Sequence, residues 1–252
     1  MTIPSVTGAP SLRVHSRVAG SSESSGPPVV LVQGFGIGSR YFEPLLKEVA
    51  RYAPVYAPDL PGHGRSDHDR RPLTIAELAG ALAAWMQIGA LRGAVLVGHS
   101  LGCQVVAELA TRRQELVAAV VLLSPTTDPA ARSVPRLIAR AAATGLYEPP
   151  TLYIWLVRDY ARAGPRLLLA EMKQLLAHRI EDLLPKLSRP VRVVRGSRDR
   201  VVPQSWAETV ARLSGAPPPR VVEGVAHAVH YAAPQHIAAI VREVTGGGGS
   251  EP

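Results

Sequence analysis

With 252 residues, 46% of them hydrophobic and 19% charged, the chain has the length and apolar content of one large globular domain with a sizeable core. Its net charge of +8 and pI near 10.1 do not indicate nucleic-acid binding: arginines are scattered among acids, and no zinc-finger spacing, basic arm or aromatic–basic interleaving occurs. A single cysteine, Cys103, excludes an internal disulfide, and neither a secretion signal nor an apolar run of membrane-spanning length is read, so the expected compartment is the cytoplasm.

In chain order, "LRVHSRVAG" before Val29 offers one or two antiparallel edge strands. The apolar run Val29 to Val32 reads as a buried strand, followed by a loop and a helix around Tyr41 to Arg51. A short strand at Val55 to Ala57 precedes a turn rich in Pro, Gly and Asp. "LTIAELAGALAAWMQIG" has helical spacing, with Thr74 as N-cap and Glu77 in the capping-box position. Further strands are expected at "AVLVG", at Ala118 to Ser124, at Val191 to Gly196 and at Arg220 to Gly224. Strands alternating with helices predict an α/β fold whose mostly parallel central sheet is covered on both faces.

Between Asp128 and Pro185 the strand signal disappears, and helical pieces are interrupted by Pro135, Gly145, Pro149, Pro150, Gly164 and Pro165. We expect a helical insertion over residues 128–185, a core made of 1–127 and 186–246, and a disordered tail at 247–252. The insertion carries Tyr147, Tyr153, Trp155 and Tyr160. Singly these read as packing residues, and as a group they can wall an apolar pocket. Arg132, Arg136 and Arg140 read as a solvated stripe on one helical face.

The sharpest chemical signal is "VLVGHSLGCQVVAELA". Its "GHSLG" has the form G-x-S-x-G, with Ser100 between a strand and a helix. A sharp strand-to-helix turn lifts a hydroxyl clear of the sheet, and side chains at Gly98 or Gly102 would collide there. The amide of Leu101 lies at the helix start, where unpaired N–H groups face developing negative charge. A serine nucleophile needs a base and the base an orienting acid, each expected on a loop after a later strand. "VRVVRGSRDRVVP" offers Asp199 and "RVVEGVAHAVHYAAP" offers His227, in that order.

Taken together, "LVQGFGIGS", "APDLPGHGRSD", "LVGHSLG", "RGSRDRVVP" and "GVAHAVHYAAP" give a chain that resembles the α/β-hydrolase fold family from about Val29 to Val244. The resemblance implies a Ser100–His227–Asp199 triad, an oxyanion hole from the amides of Phe35 and Leu101, and a helical lid at the insertion. Gln33 stands where the family usually has histidine, and Ala226 replaces a common glycine. The implied chemistry is hydrolysis of an ester of a medium-sized apolar or aromatic acyl substrate, with a small-molecule substrate as partner, no nucleic acid and no cofactor; the sequence does not give the oligomeric state. Thioesters, C–C bonds, acyl transfer or lyase chemistry on the same triad remain open, as does a ligand-binding protein on this fold. His230 competes with His227 as base, and Asp128 with Asp199 as acid. His63 reads as a loop residue, His99 as a brace of the turn, and Cys103 as a buried apolar residue. "GFGIG" lacks dinucleotide-loop spacing, and no histidine spacing supports a metal.

Overall fold

A computed structural model describes residues 1–8, 11–20 and 26–246. The tail expected to be disordered, 247–252, lies outside them.

Among the described residues the central sheet holds β3 (Ser16–Ala19), β4 (Val29–Val32), β5 (Val55–Pro58), β6 (Ala94–His99), β7 (Val117–Leu123), β8 (Val191–Gly196) and β9 (Arg220–Val222). Their order is β3-β5-β4-β6-β7-β8-β9, parallel except for the antiparallel edge strand β3. The "LRVHSRVAG" segment therefore supplies one strand to this sheet. Its Leu12–Arg13 portion (β2) instead pairs with β1 (Thr2–Ile3) in a separate two-stranded ribbon.

The apolar runs are continuous because both faces of each central strand are covered. Val30 and Val32, with Leu96, Val120, Leu122 and Val193, pack beneath α2 (Ile75–Ile88), α3 (Leu101–Arg112) and α6 (Gln204–Leu213). The alternate residues Val29, Leu31, Val95, Val97, Val121 and Val194 face α1 (Glu43–Val49) and α8 (Pro234–Thr245). Side-chain alternation along each strand divides one apolar sequence between two cores. A one-turn helix, α7 (Val229–Ala232), precedes α8.

The helix expected around Tyr41 to Arg51 is shorter, because Ser39–Phe42 is a 3₁₀ turn and Pro44 sits in the first turn of α1, where it needs no N–H acceptor. Residues 128–185 form α4 (Val134–Gly145), α5 (Pro150–Ala177) and short 3₁₀ turns. Pro135 and Pro150 lie in the first turns of α4 and α5, and Gly164, at φ 72°, kinks α5 immediately before Pro165. The arginine stripe is not one. Arg132 precedes α4 and pairs with Glu181 at 2.5 Å, while Arg140 pairs with Asp128 at 2.6 Å. Only Arg136 projects as expected, and it donates to the Ala130 carbonyl.

Thr74 caps α2 in a reciprocal capping box, its hydroxyl accepting from Glu77 N–H at 3.2 Å while Glu77 accepts from Thr74 N–H at 2.8 Å. Replacement Thr74→Ala removes one half of that box and should destabilise the fold by about 1 kcal/mol. Urea unfolding should show this as a lower midpoint with an unchanged m-value.

Candidate active site

Ser100 is the single residue between β6 and α3, with φ 54° and ψ −118°, a conformation that few residues other than glycine adopt. The turn is enforced by backbone crowding. A Cβ on Gly98 would lie 2.6 Å from Gly102 O, and one on Gly102 would lie 2.7 Å from Gln33 O. Ser100 N–H donates to Leu123 O on β7 (2.9 Å), and Cys103 N–H donates back to Ser100 O (3.0 Å). Cys103 is buried, and burial pushes its thiol up, out of reach of ionisation at neutral pH.

The loop after β4 lies against this turn. Gln33 is fully buried, and in the amide orientation that satisfies both ends it donates to Pro58 O (2.9 Å) and accepts from Leu60 N–H (2.7 Å). It joins the loops after β4 and β5. Phe35, on this loop, lines the same cavity as Ser100, and Leu101 is the first residue of α3, directly after the serine. Gly34 N–H donates to Tyr41 Oη at 2.8 Å, and Tyr41 Oη lies 2.9 Å from His99 Nδ1. His99 Nε2 lies 3.1 Å from His227 O, a group that can only accept. Nε2 therefore carries the proton and Nδ1 accepts from the tyrosine hydroxyl. Burial, with the adjacent His227, lowers the His99 pKa to about 3, so this bridge is neutral.

Asp199 and His227 come together as the sequence order implied. His227 Nδ1 lies 2.8 Å from Asp199 Oδ2, while Asp199 Oδ1 accepts from Val201 N–H (2.9 Å) and Val202 N–H (3.1 Å). Arg195 holds this loop by donating to Asp199 O and Val202 O, and Ser124 Oγ donates to His227 O. Burial would raise the carboxyl pKa of Asp199, but the charge and hydrogen bond of His227 hold it below the ordinary carboxylate value. For His227, burial works against protonation, yet Asp199 outweighs it and raises the imidazole above its usual value. Ser100 and His227 line one cavity, although no hydrogen bond among the described residues joins the serine hydroxyl to His227 Nε2. Such bonds commonly tighten only around bound substrate.

The competing residues lie elsewhere. Asp128 caps the turn at Pro129–Ala131 and pairs with Arg140. His230 is fully buried among the rings of Tyr41, Phe42 and His99, with neither ring nitrogen hydrogen-bonded. Burial there drives its pKa well below the usual value. His63 packs against α5, its Nε2 lying 2.6 Å from Glu171.

The cavity measures about 370 Å³, and α4 and α5 supply much of its wall, including Leu137, Leu152, Leu156 and Met172. Of the four aromatic residues noted in the insertion, Tyr153 and Tyr160 reach it. Trp155 lies under the Arg40 guanidinium and Tyr147 under that of Arg198. Sequence reasoning missed Tyr41 and Glu148. Tyr41 has no local motif, and Glu148 enters the cavity with one oxygen on Ala228 N–H (2.9 Å) and the other buried without a partner. Among the described residues no cluster of three or more His, Cys, Asp or Glu is placed to hold a metal ion, and no helix is long and apolar enough to cross a membrane.

Residues 29–240 match the model of the alpha/beta hydrolase family. The chain is similar to a biotin biosynthesis bifunctional protein of Cellvibrio japonicus, 27% identical over 241 residues covering 86% of this chain and 47% of that protein, so it spans about half that relative's length. It is similar to a pimeloyl-(acyl-carrier protein) methyl ester esterase of Xanthomonas campestris, 27% identical over 238 residues covering 81% of this chain and 88% of the relative. In fold it is similar to a thermophilic esterase from Thermogutta terrifontis, with a TM-score of 0.76 at 22% identity over 97% of this chain and 98% of the other.

The balance at His227 is directly measurable. In an NMR titration its imidazole should protonate above the usual histidine pKa, and Asp199→Asn should drop that pKa below it, because burial is then opposed only by the weaker effect of the Glu148 charge.

Proposed function

This chain is a hydrolase of the alpha/beta hydrolase family, and from that premise we propose that it cleaves esters of medium-sized apolar or aromatic acyl groups through an acyl-enzyme on Ser100. The observation that carries this reading is the 2.8 Å bond from His227 to a buried Asp199, beside a serine held at φ 54° on the same cavity.

The proposed steps use these residues in turn. Ser100 Oγ attacks the acyl carbon while its proton passes to His227 Nε2. Asp199 accepts from Nδ1–H, which fixes the tautomer that leaves Nε2 free as a base, and its charge stabilises the imidazolium formed. The Phe35 and Leu101 amides receive the oxyanion, each worth about 3 kcal/mol of transition-state stabilisation by comparison with other serine enzymes. The imidazolium gives its proton to the leaving alkoxide. Water, deprotonated by His227, then releases the acid and restores the serine.

The apolar lining from α4 and α5 supports the choice of acyl group, with residues 128–185 serving as a lid over a core of 1–127 and 186–246. The named esterase among its relatives favours an ester over other acyl bonds. Its one cysteine, buried and unpaired, fits a reducing compartment such as the cytoplasm.

Hydrolysis of p-nitrophenyl esters of increasing acyl length should give turnover with an optimum at medium chains. Ser100→Ala should keep the fold and lower kcat by about 10⁴-fold or more. A folded Ser100→Ala protein that turns over like the parent would overturn the reading.

A further inference from the structure

Three carboxylates of the 128–185 segment reach the core and bind backbone amides there. Glu148 accepts from Ala228 N–H, next to His227, at 2.9 Å. Asp159 accepts from Gly38 N–H and Glu171 from Gly36 N–H, each at 2.8 Å and buried. Both glycines belong to the loop that carries Phe35. A carboxylate is costly to bury unless its oxygens are hydrogen-bonded, and a bond to an ionised acceptor is about twice as strong as a neutral one. In a chain with 28 Lys and Arg, these acids are spent on backbone N–H groups.

The second oxygen of Glu171 is held by His63. His63 Nε2 lies 2.6 Å from Glu171 Oε1, and Nδ1 lies 3.1 Å from Pro61 O. Pro61 O can only accept, so Nδ1 carries a proton, and against the cost of burial the adjacent Glu171 raises the imidazole's pKa. His63 thus holds Glu171 by the oxygen that does not accept from Gly36. Contact is tight as well, since a Cβ on Gly36, whose φ is +65°, would lie 2.5 Å from Leu168 and 2.9 Å from Tyr160 of α5.

We propose that Glu171 and Asp159 are positioning residues that hold the Phe35 amide in line with the oxyanion. The loop Gly34–Phe35–Gly36 has a glycine on each side of Phe35 and little intrinsic stiffness. Tyr41 pins the Gly34 N–H, and Glu171 pins the Gly36 N–H. Asp159 secures the same loop two residues further on. The Phe35 donor is thus aimed by groups from α5, and the helices that wall the cavity also set its electrostatics. This rests on the serine-hydrolase reading above.

The test uses the full chain with a p-nitrophenyl ester and an alkyl boronic acid, whose tetrahedral adduct on serine places an oxygen where the oxyanion forms. Asp159→Ala and Glu171→Ala, shown folded by circular dichroism, should lower kcat by about 10- to 100-fold with KM within about threefold. Boronate affinity should fall by the same factor as kcat. Glu171→Gln keeps an oxygen for Gly36 N–H and should recover most of the loss. Folded alanine variants with parental kcat and boronate affinity, or with losses confined to KM, would overturn the proposal. If Glu171→Ala does not fold, Asp159→Ala decides, and parental kcat there overturns it. Ser100→Ala is measured beside them: activity surviving in that variant removes the serine reading itself, whereas its loss with unaffected Asp159→Ala removes this inference alone.

Discussion

The close approach of α3 to the ends of β4 and β6 is the constraint on which the site depends. Gly102 lies so near the backbone of Val32 and Gln33, and Gly98 so near Gly102 and Cys103, that a methyl group at either place would meet main-chain atoms. That approach bends the chain sharply at Ser100 and forces its positive φ. It also brings the loop after β4 beside Ser100 and the first turn of α3. Strain at one residue is compensated by hydrogen bonds to β7 and by two cores that bury every central strand.

Electrostatics then separate three neighbouring histidines. The rings of His227, His99 and His230 follow one another in a series, tilted, with centroids 4.9 and 4.4 Å apart. Burial disfavours the charged form of each, and of the three only His227 is hydrogen-bonded to a carboxylate, which outweighs that cost. The other two stay neutral, one as a bridge between Tyr41 and the His227 carbonyl, the other as a ring packed against rings. A single protonatable imidazole beside the serine results from where Asp199 sits and not from the number of histidines.

The parts of this arrangement legible in the sequence are those encoded within a few residues. The elbow glycines, the acid and histidine on loops after strands, the capped α2 and the fully buried strands all declare themselves locally. What stayed hidden depends on contacts between segments far apart. Tyr41 finds His99 across 58 positions, and Glu171 finds Gly36 across 135. One periodic signal was present: Leu167, Glu171 and Leu175 recur at four-residue spacing and all are buried, placing an acid on an apolar face. The arginines of the insertion misled because Glu181 and Asp128, which claim Arg132 and Arg140, are not adjacent on one helical face.

The same helices thus have two relations to the cavity, and these pull against each other. Apolar side chains of α4 and α5 line the cavity, while carboxylates from α5 and from the turn before it hold backbone in the loops bearing Phe35 and His227. A substitution that reshapes the wall, such as one at Leu156 or Met172, also shifts the helix from which Asp159 or Glu171 projects. Packed interiors transmit small displacements, because few voids exist to absorb them. Changes of substrate size on this scaffold are therefore least costly in rate where they fall on α4, whose cavity-facing residues Leu137, Ile138 and Ala141 carry none of these three carboxylates.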